Sequence, residues 1–434
     1  MSGEECFSIL EKIFLPKRKE KIEKIKGYTI KYGNIVNNKE IIDEVLVSYF
    51  KAPKSYTTEN MCEINSHGGM IVLKKILNLC LENGAEMANP GEFTQRAFVN
   101  GRIDLLQAES VIDIIDAKSE KELSAGIRQL EGFLSREIKR IKQDILDLLV
   151  DIEVSIDYPE YDVEEVSREK VEKTIGRVKK ELIKLEKSFD EGKLIKNGIK
   201  VAIIGKPNAG KSSLLNALLK EERAIVTDIE GTTRDTIEEF VNICGIPLKL
   251  IDTAGIRETD DKVEKIGVLK TKEIANSADL IIAIFDSSKE LSNEDIEILN
   301  MIKEKKSLII LNKTDLLTKI NETDKLFSNK EIIKISAIKN IGIEEIGKKI
   351  EKMFNLNEIE LGNDTVITNL RHKNLINKSI KNASKTIEST KEKLPIDIIS
   401  INIREIISNL NEIIGEEVSE NIINEIFSKF CLGK

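Results

Sequence analysis

The spacing of apolar residues changes along the chain, and the first hundred residues differ from those that follow. Short apolar runs at residues 27–32 and 41–50 lie on either side of Asn37 and Asn38, which predicts two strands joined by a turn. Residues 70–81 carry apolar side chains at helical spacing and end before Gly84, which predicts a helix. We therefore predict an α+β domain over residues 1–98.

Helical spacing dominates from residue 104 to about residue 195. Apolar residues recur at intervals of three and four from Leu123 to Ile152, which predicts one long amphipathic helix, and from Val171 to Phe189, which predicts another. The same spacing returns between Ile376 and Phe430. We predict one helical domain made of residues 99–197 and 357–434, with another domain inserted in it. Two separate bundles are the alternative.

Strand-like and helix-like runs alternate over the inserted residues, 198–356. Apolar runs predict strands at residues 200–204, 239–243, 248–252, 280–286, 307–312 and 332–336. Strands that alternate with helices predict a mostly parallel sheet with helices on both faces. The predicted fold class is a multidomain α/β plus all-α protein, with the α+β domain at its N-terminus.

Composition narrows the setting in which this chain works. Of its 434 residues, 41% are hydrophobic and 33% charged, which is typical of a globular protein of about three domains. There is no apolar run long enough for a membrane span and no leader-like N-terminus. The cysteines are scattered and odd in number, which favours a reduced, cytoplasmic setting. A net charge of −8 leaves only local basic patches for contact with RNA.

The strongest chemical signal lies between the first predicted strand of the inserted domain and its helix. Residues 205–212 read Gly-Lys-Pro-Asn-Ala-Gly-Lys-Ser and fit the phosphate-loop pattern without a mismatch. Glycines let backbone N–H groups turn toward phosphate oxygens, and the helix N-terminus adds its positive dipole end. We expect Lys211 to reach the β- and γ-phosphates and Ser212 to ligate Mg²⁺. The predicted nucleotide-binding residues of this segment are Asn208, Ala209, Gly210, Lys211, Ser212 and Ser213.

Two further motifs supply the Mg²⁺ and γ-phosphate side of a nucleotide site. One is an acidic residue at a predicted strand end followed by a glycine whose N–H could meet the γ-phosphate. The other, upstream, supplies a hydroxyl for Mg²⁺ in a segment that the γ-phosphate could order. These motifs consist of Asp252, Thr253, Ala254 and Gly255, and of Gly231, Thr232 and Thr233.

The remaining motifs point to the base. Asn312, Lys313 and Asp315 follow a predicted strand, and an Asp there can accept two hydrogen bonds from guanine. Adenine offers neither donor, so the wrong base would leave a buried carboxylate unpaired. Ser336, Ala337 and Ile338 follow the next predicted strand and could direct a backbone N–H at the guanine O6. Together with the phosphate loop, these motifs predict that the domain binds GTP and GDP.

The hydrolytic step needs a group that the motifs do not supply. Small GTPases often place a Gln after Asp-x-x-Gly to orient the attacking water, and here that position is Ile256. Either hydrolysis is slow or another residue and another positive charge complete the site. Asn208 is a candidate ligand for a monovalent cation that would stabilise transition-state charge as an arginine finger does.

Taken together, the motifs resemble one known family, the tRNA modification GTPases MnmE (TrmE), over nearly the full chain. The segments that carry the resemblance are residues 90–98 (Pro-Gly-Glu-Phe-Thr-Gln-Arg-Ala-Phe), 100–105 (Asn-Gly-Arg-Ile-Asp-Leu), 225–235, 252–258 and the terminal Cys-Leu-Gly-Lys. The resemblance implies a cytoplasmic homodimer joined through its N-terminal domains, whose GTPase domains pair in the presence of K⁺ and then hydrolyse GTP.

The resemblance also implies roles for particular residues. It extends the nucleotide site to Thr227, Asp228, Ile229 and Glu230. It assigns K⁺ to Asn208, Thr227, Ile229 and Thr232, and Mg²⁺ to Ser212 and Thr233. It makes Glu264 the catalytic residue that orients the attacking water; the residue pattern by itself would favour a solvated charge there.

In the N-terminal domain the resemblance implies a site for 5-formyltetrahydrofolate, contacted by Glu63, Arg102 and Lys434. Because the family's first strand is expected to be missing here, we expect weak folate affinity. With an FAD-dependent MnmG (GidA)-type partner, the family adds an aminomethyl-type group at C5 of the wobble uridine of certain tRNAs. Cys431 is a candidate catalytic thiol, and docking of a helix end is the alternative. The rival functions are a ribosome-assembly GTPase switch and a structural dimer that nucleotide only stabilises.

Overall fold

A computed structural model describes residues 1–18, 24–38, 40–157, 168–221, 239–243, 246–251, 275–320, 325–327, 330–354, 366–431 and 433. The chain forms two compact units. The first unit comprises residues 1–112, 129–176 and 381–434, and the second comprises residues 113–128 and 177–380. The boundaries between units fall inside helices, and the predicted domain boundaries stay a prediction.

The first unit begins with a four-stranded antiparallel sheet in the order β1-β2-β3-β4. Its elements are α1 (Cys6–Ile13), β1 (Phe14–Pro16), β2 (Thr29–Asn37), β3 (Glu40–Phe50), β4 (Met61–Asn65), α2 (Met70–Glu82) and α3 (Glu92–Val99). Alternate residues of the sheet, such as Ile35 and Val47, are fully buried under helices α1 and α2. The predicted strands and helix are confirmed, although β2 begins later and runs further than its apolar pattern indicated.

Long helices follow: α4 (Leu105–Asp116), α5 (Glu120–Leu130), α6 (Phe133–Asp157), α7 (Arg168–Asn197), α11 (Leu370–Lys391), α12 (Ile396–Ile414) and α13 (Glu420–Phe427). The prediction of one helix from Leu123 to Ile152 is wrong, because the helix is interrupted between α5 and α6. Gly132 adopts a left-handed φ of +79°, which glycine tolerates and which ends α5. Gln107 donates its side-chain N–H to the Leu130 carbonyl at 2.7 Å, so the end of α5 is satisfied.

The second unit contains a six-stranded sheet in the order β10-β9-β8-β5-β7-β6, in which only β6 and β7 pair antiparallel. Its elements are β5 (Ile199–Ile204), α8 (Lys211–Glu221), β6 (Glu239–Ile243), β7 (Ile246–Leu250), β8 (Leu280–Asp286), α9 (Asn293–Met301), β9 (Ser307–Asn312), β10 (Glu331–Lys334) and α10 (Ile343–Met353). Every residue of β9 is buried, as expected for a strand covered on both faces. The predicted mostly parallel sheet is confirmed.

The parallel strands end at one edge of this sheet, and loops of the predicted motifs leave from that edge. The phosphate loop follows β5, Asn312 ends β9 and residues 313–315 follow it, and residues 336–338 come just after β10. In the described part of the chain, no helix is both long enough and apolar enough to cross a lipid bilayer.

Candidate nucleotide-binding site

The phosphate loop joins β5 to α8 and passes close to the neighbouring strand β8. A Cβ atom at Gly205 would lie 2.5 Å from the Ile284 carbonyl oxygen, so only glycine fits there. Gly210 has a φ of +106°, and a Cβ at that position would collide with the side chain of Asn312. Both glycines of the motif are therefore required by the close approach of other chain segments as well as by loop geometry.

Lys211 opens helix α8 and turns its ammonium group back into the loop. Its Nζ donates to the carbonyls of Gly205 at 2.8 Å and Lys206 at 2.9 Å. Burial lowers the pKa of Lys211 from its ordinary value, because desolvation penalises the charged form. The loop thus holds a desolvated positive charge at the N-terminus of a helix, which is an environment suited to a phosphate group.

Asn312 links the phosphate loop to the loop after β10. Its side-chain Nδ2 donates to the Ala209 carbonyl at 2.9 Å, and its Oδ1 accepts the backbone N–H of Ala337 at 3.1 Å. The side chain is 2% exposed, so both hydrogen bonds are shielded from water. One carboxamide therefore fixes the spacing between the segment predicted to bind phosphate and the segment predicted to read the base.

Asp315 lies at the rim of the same region. The Ser336 hydroxyl donates to its Oδ1 at 2.7 Å, and this hydrogen bond lowers the pKa of the carboxyl group. Asp315 is therefore ionised at neutral pH, as an acceptor of two guanine N–H donors must be. Ser336 is held in turn by paired backbone hydrogen bonds with Ile341 at 3.0 and 3.1 Å.

Lys313, directly after β9, adopts a φ of +64°. Its Nζ lies 2.6 Å from Asp286 Oδ2, at the end of β8. Burial raises the pKa of Asp286, but hydrogen bonds from Lys313 and Ser288 more than offset this, so its pKa lies below the ordinary value. The Lys313 stem is thereby held in one position at the edge of the sheet.

Ser212 and Ser213, predicted to bind the nucleotide, lie in the first turn of α8, and Asn208 in the loop adopts a φ of +60°. Ile338 is 78% exposed beyond Ala337. A hydroxyl directly after the phosphate-binding lysine is a hard oxygen donor of the kind Mg²⁺ prefers. The Ser212 hydroxyl thus suits one side of a Mg²⁺ site, and the role of Asn208 in binding a cation stays a prediction.

The N-terminal candidates lie in the first unit. Arg102 places its guanidinium 4.4 Å from the centre of the Tyr56 ring, and Tyr56 packs against a cluster that contains Phe427 and Phe430. Cys431 follows Phe430 directly and is exposed. The structure therefore brings the end of α13 and the Arg102–Tyr56 pair onto one cluster. Glu63 lies on β4, exposed, outside that cluster.

Comparison with known proteins identifies the family. A model of the MnmE helical domain matches residues 105–431, and a model of the N-terminus of the GTP-binding protein TrmE matches residues 1–102. The tRNA modification GTPase MnmE of Acetivibrio thermocellus is 49% identical over all of this chain and 95% of its own length. The protein of the same name from Clostridioides difficile is 48% identical with the same coverage. This chain belongs to the MnmE family.

A solved structure, the G-domain of FeoB from Methanococcus jannaschii, matches 36% of this chain and 98% of its own length. Its identity is 23% and its TM-score 0.27, which is too low to bear on the fold.

Part of the predicted site lies outside the described residues. This applies to the segment with most of the K⁺ candidates, to the acidic motif, to the predicted catalytic glutamate and to the C-terminal lysine. These residues are Thr227, Asp228, Ile229, Glu230, Gly231, Thr232, Thr233, Asp252, Thr253, Ala254, Gly255, Glu264 and Lys434.

Sequence reasoning missed the residues that hold the MnmE-type motifs in place. Asp286 binds Lys313, and Asp295 and Ser292 bind the side chain of Lys206. Two signals were available. Asp286 ends an apolar strand at the edge where the motifs meet, and Ser292 is followed three residues later by Asp295, which is the pattern of a helix capping box.

Proposed function

We propose that this member of the MnmE family is a K⁺-activated GTPase that takes part, with an FAD-dependent MnmG-type partner, in adding an aminomethyl-type group to C5 of wobble uridine in tRNA. At the coarser level it is a GTP hydrolase of a tRNA modification family, as its relatives' names state. The observation that carries the GTP assignment is the pair of hydrogen bonds by which Asn312 joins the phosphate loop to Ala337.

The chemistry of the GTP site follows from the residues that line it. Lys211 binds the β- and γ-phosphates after exchanging its loop carbonyls for phosphate oxygens. Asp315 accepts the N1–H and 2-amino protons of guanine, while the Lys313 stem faces the rest of the base. The Ala337 N–H, which was expected to meet the guanine O6, donates to Asn312 instead. Ser212 would hold Mg²⁺, with Thr233 as its proposed partner; when bound, Mg²⁺ neutralises charge on the phosphates.

Hydrolysis requires more positive charge than Lys211 and Mg²⁺ provide in this scheme. We assign the additional charge to K⁺ held by Asn208, Thr227, Ile229 and Thr232, and the orientation of water to Glu264. Asn208 supports this assignment, because it lies in the phosphate loop and is exposed, so that its amide oxygen is accessible to a cation. The assignment of the other residues rests on the family pattern.

Two exposed apolar surfaces in the first unit support the proposed homodimer. Ile30 and Tyr32 on β2 are 63% and 50% exposed, and Tyr28, directly before the strand, is 67% exposed. Leu46, opposite Tyr32 on β3, is 45% exposed. Met70 and Ile71 at the start of α2 are 78% and 76% exposed. Apolar side chains concentrated in this way mark interaction surfaces. We infer that a second copy of the chain covers part of them.

The first unit is also the proposed place of one-carbon chemistry. Arg102, stacked on Tyr56, offers a fixed cation for a carboxylate of 5-formyltetrahydrofolate, with Glu63 and Lys434 as further contacts. Cys431 is the proposed thiol. Phe430, the residue directly before Cys431, packs beside Gly91 and so fixes the start of the C-terminal segment. A Cβ at Gly91 would lie 3.0 Å from the Phe430 ring.

The experiment that tests the proposal compares GTP hydrolysis in KCl and NaCl at matched ionic strength. K⁺ is expected to accelerate hydrolysis by on the order of 10³-fold, as a positive charge at the transferring phosphate does elsewhere. Asn208→Ala should remove the K⁺ effect, while Asn300→Ala, which alters an exposed asparagine of α9, should keep it. Equal rates in both salts would reject the K⁺ mechanism.

Unchanged wobble uridines in a deletion strain, read by nucleoside mass spectrometry, would reject the tRNA role.

A further inference from the structure

The second residue of the phosphate loop, Lys206, is bound by side chains from the start of helix α9. Its Nζ lies 2.6 Å from Asp295 Oδ2 and donates to the Ser292 hydroxyl at 2.8 Å. The Asp295 side chain is 6% exposed and that of Lys206 is 23% exposed. Solvent screens such a pair weakly, so the loop carries a strong connection to α9.

Asp295 is held in place independently of Lys206. It forms a capping box with Ser292, whose backbone N–H donates to Asp295 Oδ2 at 2.9 Å and whose hydroxyl donates at 3.1 Å. The helix is fixed on the sheet by the buried side chain of Leu299. The carboxylate that meets Lys206 therefore belongs to a rigid element.

The backbone of Lys206 is in direct contact with the phosphate-binding lysine. Its carbonyl oxygen accepts Nζ of Lys211 at 2.9 Å and the N–H of Ala209 at 3.3 Å. The residue whose side chain is tied to α9 is therefore also the residue whose carbonyl holds the loop closed. Displacing Lys206 would displace the groups expected to meet phosphate.

Packing alone does not fix the loop against α9. A cavity separates them, lined on the loop side by Lys206, Pro207 and Ala209 and on the other side by residues that include Asp286 and Asp295. Gly205 and Gly210 flank this part of the loop and pack against Ile284 and Asn312, on the sheet side of the loop. The contacts of the Lys206 side chain with Asp295 and Ser292 therefore connect the loop to α9, in addition to the hydrogen bonds that its carbonyl accepts within the loop.

We propose that Asp295 is a positioning residue of the GTP site, which acts through Lys206 to hold the phosphate loop in its binding conformation. The inference rests on the proposed GTP function of this loop. Asp295 does not touch nucleotide in this scheme. It reduces the conformational entropy that the loop must lose when nucleotide binds, and such preorganisation raises the affinity for the nucleotide.

The test measures the Kd of the full chain for GTP and GDP, together with kcat and KM for hydrolysis. Lys206→Met keeps the aliphatic stem and leaves the capping box intact. Its Kd for both nucleotides should rise by about tenfold, which equals about 1.4 kcal/mol, with kcat at saturating GTP changed far less. Lys206→Arg restores a cation and should bind within about twofold of the unmodified chain. Asp295→Asn should resemble Lys206→Met, and the double variant should be no weaker than either, since interacting residues are not additive.

Lys349→Met is the matched control, because Lys349 forms an ion pair with Glu331 elsewhere in the same unit. It should bind GTP like the unmodified chain. Equal losses in Lys349→Met and Lys206→Met would overturn the inference, and so would normal GTP affinity in Lys206→Met. If the unmodified chain itself fails to bind GTP, the proposed function falls as well, so the two failures are distinguishable.

Discussion

The two sheets of this protein differ in how much of their apolar surface is covered. The parallel sheet of the second unit is covered on both faces, and its polar motifs gather at the edge where strands end. The antiparallel sheet of the first unit buries one face and leaves Ile30, Tyr32 and Leu46 exposed on the other. The first arrangement gathers polar groups where a small ligand can bind, and the second leaves an apolar surface, which is where we propose that a second copy of the chain binds.

The largest effect should come from the covered sheet. Lys211→Ala removes the buried ammonium that contacts the carbonyls of Gly205 and Lys206. Its kcat/KM for GTP should fall by on the order of 10³-fold, as when a preorganised charge at a reacting group is removed. Lys142→Ala removes a comparably shielded lysine from α6 in the first unit and should retain its rate. Similar losses in both variants would show that the second unit does not hold the catalytic site.

The next effect tests base recognition at the same sheet edge. Asp315→Asn replaces two acceptor oxygens by one acceptor and one donor, which suits xanthine better than guanine. The preference for GTP over xanthosine triphosphate should fall by about 10²-fold or more in competition binding. Ser336→Ala removes the hydroxyl that donates to Asp315 at 2.7 Å and accepts the Lys339 N–H at 3.3 Å; it should reduce GTP affinity but keep the preference. An unaltered preference in Asp315→Asn would mean that another group reads the base.

A smaller effect is expected at the open sheet. Ile30→Asp places a charge in the exposed apolar face of β2 and should weaken self-association by about thirtyfold, the size of an interface hot spot. Sedimentation equilibrium measures this directly. Leu317→Asp is the control, because Leu317 is 83% exposed but belongs to the second unit. If both variants associate like the unmodified chain, the open face is not the dimer interface.

The smallest effect concerns the part of the second unit that precedes its sheet. Burial raises the pKa of Glu122 on α5 from 4.5 to about 7. The negative charge of Asp113 also raises this pKa, whereas the hydrogen bond from the Lys118 N–H and the positive charge of Lys196 lower it. The protonated carboxyl of Glu122 therefore contributes its full free energy of folding below about pH 4.5, and this contribution is lost as the pH rises to about 7. Glu122→Gln should therefore raise the melting temperature at pH 8 by about 2–4 °C, and by less at pH 4.

Calorimetric melting across this pH range checks the prediction, with Glu120→Gln as the control for an exposed glutamate of the same helix. A gain from Glu122→Gln that is equal at both pH values would contradict it, because such a gain would not arise from a buried carboxylate. A gain from Glu120→Gln would point to the charge of the helix as a whole.

Local patterns predicted much of the fold and the motifs of the site. The strands at residues 239–243, 280–286 and 307–312 begin and end as their apolar runs indicated. The runs at 280–286 and 307–312 are buried and end at the polar residues Asp286 and Asn312. The break at Gly132 was missed, because helical periodicity continues on both sides and a lone glycine is tolerated within helices.

The contacts that hold the phosphate loop in place could not be predicted from the spacing of residues in the sequence. Lys206 and Asp295 are separated by 89 residues, and their ion pair depends on which strand lies next to β5. The order of strands, in which β8 lies directly beside β5, is a property of the whole sheet. Motifs report the chemistry a loop offers, whereas the contacts that hold the loop arise from tertiary structure.

The position of Asn312 has a consequence for ligands smaller than GTP. Because its one carboxamide is bonded to both the phosphate loop and the Ala337 segment, ordering either segment restrains the other. Guanosine and inorganic triphosphate, added together, should therefore bind with positive cooperativity, each raising the affinity for the other by the same factor. We therefore expect the choice of base and the affinity for phosphate to be linked in this protein.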